Sequence, residues 1–320
     1  MKLRHSFAFA LLLVALCALP ALVFAQRADP RTLDYGLRAR EVASGVFVVE
    51  GANADFSVAN GCNIINTGFI ATGAGVIVIN TGPSRRYGEQ LRSLIARTTK
   101  EAVVRVVNLN RHPDYFLGNQ AFADVKRSAT PTTRAGIEQD AKAYEDNLYR
   151  LCGDWLKGTQ TLPPDTDAAT GAERVGEHLL EWVELSGHTD SDLVLMDRTR
   201  GVVFAGGLVF AQRVPTTPHG QLDAWRESLR TLAAWPHTTL VPSHGTLHAE
   251  PDAIAMTQRY LDWIDRALRD AAEAGLEMND VVGLPVPAEF RGWAAFETEY
   301  VRNVAHLYPR YEQAALARRP

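Results

Sequence analysis

The sequence predicts a mixed α/β fold in one domain, with two β-rich halves, helices around them and a helical C-terminal extension. Three observations predict it. Short β-branched and aromatic runs recur in both halves, histidine- and carboxylate-bearing loops follow several of them, and no Pro/Gly-rich linker separates the halves. At 320 residues and 46% hydrophobic, the chain holds enough apolar material for one large core or two small ones. Its net charge of -4 argues against nucleic acid or anionic membrane as a partner, because both select basic patches.

At the N-terminus Lys2, Arg4 and His5 precede an apolar run over residues 7–23, and Val23-Phe24-Ala25 offers a cleavage site before Gln26. That pattern describes a secretory signal over residues 1–25 and a working place in the periplasm or outside the cell. The competing reading is a membrane anchor. The run is short for a spanning helix and Pro20 interrupts it, so no stable span is expected after cleavage. Cys17 as a lipidation site is discounted because Leu16 before it is bulky. Cys62 and Cys152 remain in the mature chain, residues 26–320, either as a disulfide or as two buried thiols.

Strands are expected over residues 46–49, 62–72 and 75–79, the last ended by Asn80-Thr81-Gly82. A helix with Leu91, Leu94 and Ile95 on one face follows, then a buried strand over 103–107. Residues 132–155 read as helix, broken by Leu162-Pro163-Pro164-Asp165. The second half has strands over 179–185, 192–196 and 202–205, a helix over 222–234 and a strand at 239–242. Helices dominate from about residue 250, one with Met256, Tyr260, Ile264 and Leu268 at core spacing, another over 296–316.

Three loops carry the chemistry. Residues 108–119 read Asn-Leu-Asn-Arg-His-Pro-Asp-Tyr-Phe-Leu-Gly-Asn, 186–192 read Ser-Gly-His-Thr-Asp-Ser-Asp, and 242–246 read Pro-Ser-His-Gly-Thr. Each sets a histidine or carboxylate just past an apolar strand, where side chains from different strands converge. Imidazole and carboxylate suit zinc, which takes about four such donors. A single histidine is more often a surface hydrogen-bonding group. The order of all three is what singles them out.

That order resembles the metallo-β-lactamase-fold hydrolases, whose motifs are H-x-H-x-D-H, G-H-T, a metal-bridging Asp, and a final His in an S/G-H-G turn. Asn80-Thr81-Gly82 is similar to the family's D-T-G, and Phe204-Ala205-Gly206-Gly207 to its F-A/T-G-D. Residues 108–119 and the tail 300–308 resemble the exported branch called quinoprotein relay system zinc metallohydrolases. The resemblance implies an αββα four-layer sandwich with the helical extension added, a zinc-dependent hydrolysis of an ester- or amide-type small molecule, and a periplasmic quinoprotein or cytochrome partner.

Against the family pattern, Asn110, Tyr115 and Gly207 stand where metal ligands are expected, and Asn80 replaces a supporting aspartate. His112, Asp114, His188 and His244 remain as candidate metal ligands, enough for one zinc if the loops relax, with His219 as a possible further donor. The mono-zinc, carbapenem-restricted subclass shares Asn at the first position but has Cys where this chain has Gly207. Two functions follow. In an enzyme, Asp114 orients the attacking water, His112 and His188 bind or act as bases, and Tyr115 donates to the oxyanion. In a metal-free relative, the same pocket binds a ligand or partner. Putting back Asn110→His, Tyr115→His and Gly207→Asp is expected to create a two-zinc site.

Overall fold

The first half of the chain forms a seven-stranded sheet in sequence order: β1 (Arg40–Ala43), β2 (Val46–Val49), β3 (Thr67–Ala71), β4 (Val76–Ile79), β5 (Val103–Val107), β6 (Lys126–Ala129) and β7 (Thr166–Asp167). Pairing is antiparallel from β1 to β4 and parallel from β4 to β7. In the second half β8 (Gly171–Val175), β9 (His178–Leu185), β10 (Asp192–Asp197) and β11 (Val202–Phe204) pair antiparallel. The short β12 (Phe210–Ala211) leaves this sheet, β13 (Thr239–Val241) returns parallel to β11 as its fifth strand, and β14 (His244–Gly245) pairs with β12. The computed structural model describes residues 32–247 and 252–318, so the expected signal at 1–25 lies outside the described residues.

Alternation along the strands sets the layers. Val76 and Val78 of β4 pack with Tyr87, Leu91 and Ile95 of α1 (Arg85–Thr98), while Ile77 and Ile79 face Leu180, Leu193 and Leu195 of the second sheet. Ser84 starts α1 by accepting from Tyr87 N. The short α2 (Pro113–Phe116) and long α3 (Pro131–Cys152) follow β5 and β6. On the far face of the second sheet, Val194 and Met196 meet α4 (Leu222–Ala233) and α5 (Ala253–Ala274). The short α6 (Met278–Val282) and α7 (Ala288–Arg291) lead to α8 (Phe296–Leu316), whose Val304, Leu307 and Tyr308 join the same core. Helix, sheet, sheet and helix thus stack in the four layers expected from the sequence. Each fully buried large apolar side chain contributes about 1.5–3 kcal/mol.

Strands β6, β7 and β8 were not foreseen, because Lys126-Arg127-Ser128-Ala129 has no apolar pattern. Parallel pairing to β5, with Arg127 held to Asp165 at 2.6 Å, recruits it instead. No helix among the described residues is long and apolar enough to cross a membrane.

The two cysteines form a disulfide. Cys62 and Cys152 have Cα atoms 5.9 Å apart and close a loop with a sequence separation of 90, tying the segment before β3 to the end of α3. Replacing both with serine is expected to cost about 2–4 kcal/mol. Urea unfolding reads this as an earlier midpoint, and an unchanged midpoint would contradict the clamp.

Candidate functional site

The three motif loops meet at one rim of the sandwich because each leaves a strand end there. Asn80 sits in the left-handed region, φ 58°, which asparagine tolerates, and its Oδ1 accepts from Leu109 N at 2.9 Å. Asn108 and Asn119 exchange side-chain hydrogen bonds and hold the first loop as a frame around α2. Asn66 donates to the carbonyls of Pro242 and Gly245, anchoring the third loop. Gly187 of the second loop has φ 135° and lies so close to α4 that an added Cβ would come within 2.2 Å of Trp225 Cα.

All four candidate ligands are buried and lie together at this rim. His244 Nε2 donates to Asp114 Oδ2 at 2.9 Å, joining the third loop to the first. The rings of His112 and His188 are 4.6 Å apart and edge to face. His188 Nε2 shares a hydrogen bond with Thr216 Oγ1 at 3.2 Å, and its ring lies against Trp225. His244 stacks on Phe210 at 4.9 Å. His112 Nε2 is buried with no hydrogen-bond partner among the described residues. His219 approaches from outside, its ring 5.5 Å from that of His112.

Burial dictates the charges. It pushes His112 well below the usual imidazole value, with His188 adding to the effect, and brings His188 down to about 3. It lowers His244 as well, despite the Asp114 carboxylate. Burial would raise Asp114, but the hydrogen bond from His244 and the surrounding imidazoles outweigh it and hold this carboxyl low. Neutral histidines around an ionised Asp114 result.

Asn110 and Tyr115 do other work. Asn110 Nδ2 donates to Asp192 Oδ1 at 2.5 Å and to Thr189 Oγ1 at 3.1 Å. Asp192 also accepts from Thr189 N at 2.9 Å, and its burial moves its pKa up to about 7. Tyr115 is fully buried in the inter-sheet core, its hydroxyl directed at Gly206 O at 3.5 Å, and burial raises its pKa well above the phenol range. A Cβ on Gly207 would lie 2.2 Å from His188 Nδ1, 2.6 Å from Asp192 Oδ1 and 2.9 Å from Asn110 Nδ2. The expected Gly207→Asp restoration therefore requires these side chains to withdraw first.

These observations test the zinc that the family implies. An amide, a buried neutral phenol and a glycine are not zinc donors at neutral pH. Asp114 and His244 hydrogen-bond each other. Among the described residues no group of three or more His, Cys, Asp or Glu side chains is placed to hold a metal ion. The donor set as it stands does not fit the group.

In front of the rim lies a cavity of about 300 Å³, lined by His112, Asp114 and His244 on one side and by Phe56, Ile64, Leu148 and Leu151 on another. Neither His188 nor Tyr115 lines it. A further part of the wall comes from α8 through Glu299, Arg302 and His306. The sequence reading did not assign Asp192 or these three residues to the site. Asp192 was legible as a charge heading an apolar strand, and the α8 residues as polar groups at helical spacing, but nothing in the sequence tied α8 to the rim.

The comparisons with known proteins agree with the four-layer fold. Residues 60–244 match the family model described as the Metallo-beta-lactamase superfamily, and the chain belongs to that superfamily. Among solved structures, the metallo-beta-lactamase from Pontibacter korlensis is 20% identical with a TM-score of 0.58, covering 71% of this chain and 99% of its own. FIM-1 from Pseudomonas aeruginosa, solved in its mono-zinc form, is 16% identical with a TM-score of 0.56, covering 71% and 96%. At such identities the likeness concerns the fold. No curated protein matches the chain.

Glu299 permits a pH test away from the motif loops. It is buried, its Oε1 lies 3.6 Å from Arg213 Nη2 and 2.9 Å from Arg302 Nη1, and burial raises its pKa above the ordinary 4.5 despite both cations. The folded chain then binds this proton more tightly than the unfolded chain. The associated stability is present at acid pH and is lost as pH climbs from 4.5 through the folded value. Thermal melts across that range are expected to fall less steeply for Glu299→Gln than for the wild type, and identical profiles would contradict the assignment.

Proposed function

We propose that this protein is an exported small-molecule-binding member of the superfamily, whose rim pocket works by hydrogen bonding and apolar contact without a resident zinc. The observation that carries this reading is the direct Asp114–His244 hydrogen bond, 2.9 Å, at the position where two donors would otherwise face a metal. Support comes from Asn110, which faces Asp192 and Thr189, and from Gly207, which leaves no room for a carboxylate. The cavity's size and its mix of a few polar groups with apolar walls suit a small ligand. Export rests on the signal-like pattern of residues 1–25, and a periplasmic quinoprotein or cytochrome as partner rests on the motif resemblance of residues 108–119 and 300–308.

A second reading is a hydrolase holding one zinc through His112, Asp114, His188 and His244. The unpartnered, buried Nε2 of His112 favours it, since a free imidazole nitrogen beside a carboxylate–imidazole pair is what a metal would recruit. One measurement decides between the two. Protein purified from its export compartment, and again after incubation with zinc and gel filtration, is expected to carry well under one zinc per chain by elemental mass spectrometry. A stoichiometric zinc in the wild type, accompanied by chelator-sensitive ester or amide hydrolysis, would replace the first reading with the second.

A further inference from the structure

A second cleft shares no lining residue with the rim cavity. Its volume is about 520 Å³, and its walls include Asn53, Gln212, Met256, Glu289, Gly292 and Trp293. Gln212, directly after β12, has φ 52°, and Ala295 has φ 57°. Neither residue type favours the left-handed region, so the surrounding structure must hold each there, and such outliers gather at ligand sites. At Gln212 the hold is visible. Its carbonyl accepts from Ala294 N at 3.0 Å and from Asn53 Nδ2 at 3.3 Å, and Arg213 forms a parallel bridge with Ala294. Arg213 is thereby fully buried, while the Gln212 side chain is exposed and its amide makes no hydrogen bond among the described residues.

Gly292 adds an independent observation. Its φ of −83° suits any residue, and an added Cβ meets no atom within 4 Å. Neither the backbone nor a neighbour requires glycine there, and what its small size does is leave the cleft open to close approach. Trp293 beside it is half-buried and fixed against Phe290 and Tyr260, with ring centroids 5.0 and 6.1 Å away. Glu289 on the wall is paired with Arg259 at 2.6 Å. The chemistry of these groups is complementary to a ring bearing hydroxyls. A free amide presents a donor and an acceptor side by side, and a paired carboxylate still accepts from a hydroxyl. An indole face is electron-rich and attracts the slightly positive C–H groups of a saturated ring. Met256 adds a polarizable apolar contact. We infer that this cleft is a second binding site, for an uncharged ring polyol such as a sugar unit of a neutral oligosaccharide. Trp293 stacks on the ring, Gln212 and Glu289 bond its hydroxyls, and Gly292 gives it room.

The inference is independent of what the rim pocket binds. Cellotriose and maltotriose are titrated into the full mature chain and followed by NMR, with the Trp293 indole signal assigned through Trp293→Phe. At least one trisaccharide is expected to shift that signal and to saturate in the millimolar range. Gly292→Tyr, which the backbone accepts and which fills the cleft, is expected to weaken binding by about tenfold or more without lowering the melting temperature. Gln212→Gly relieves the left-handed backbone and deletes the amide, so it is expected to melt no lower than the wild type while binding more weakly. No shift of the Trp293 signal at tens of millimolar of either sugar would overturn the inference, as would full affinity in Gly292→Tyr. A Gln212→Gly protein that melts lower with unchanged affinity would assign the strained turn to the fold alone and overturn the role of Gln212. Shifts confined to rim residues such as Leu148 would overturn the second site and leave the small-molecule reading of the rim in place.

Discussion

A carboxylate taken out of water must be compensated where it sits, and at this rim Asp114 is compensated by His244. That single hydrogen bond spans the first and third motif loops. Its geometry is set from both sides: His244 is stacked on Phe210 and its loop is anchored by Asn66, while Asp114 rides on α2 inside the Asn108–Asn119 frame. Removing either partner would leave the other buried and unsatisfied, a loss of roughly 1–3 kcal/mol for a buried hydrogen-bonding group and more for the charged carboxylate. The meeting of the first and third loops follows from how this carboxylate is satisfied, while the histidines are kept neutral by their own burial against the pull of Asp114.

Asp192 poses the same problem one layer deeper and is solved differently. It is fully buried and takes its hydrogen bonds from Asn110 and Thr189 rather than from an imidazole. The amide at Asn110 and the missing side chain at Gly207 are consistent with each other here, since the one donates into the space that the other vacates. Substitutions that read in the sequence as separate losses form one packed arrangement in space. The extension from α5 to α8 then supplies what the two sheets lack, a polar wall that closes the cavity and pins the Phe56 loop.

The architecture was legible because burial on both faces writes β-branched runs into strands such as β4, and because α1 and α5 carry apolar residues at helical spacing. Strand β6 was not, since its residues are polar and its conformation comes from pairing to β5. Loop order singled out the four rim side chains, and the structure sets Asp114 against His244 and the ring of His112 beside that of His188. What each one touches was not legible. Whether Asp114 meets a metal or an imidazole depends on rotamers and on neighbours far along the chain, and Tyr115, one residue further on, turns into the core instead of the cavity. Nor could spacing alone decide between a disulfide and two thiols for Cys62 and Cys152, whose approach is set by where α3 ends.

The most direct test is an X-ray structure of crystals grown in millimolar zinc, with anomalous data collected on either side of the zinc edge. The account predicts no anomalous peak among His112, Asp114, His188 and His244, with the Asp114–His244 hydrogen bond intact. A peak within bonding distance of three of those side chains, with Asp114 and His244 turned from each other toward the ion, would contradict it.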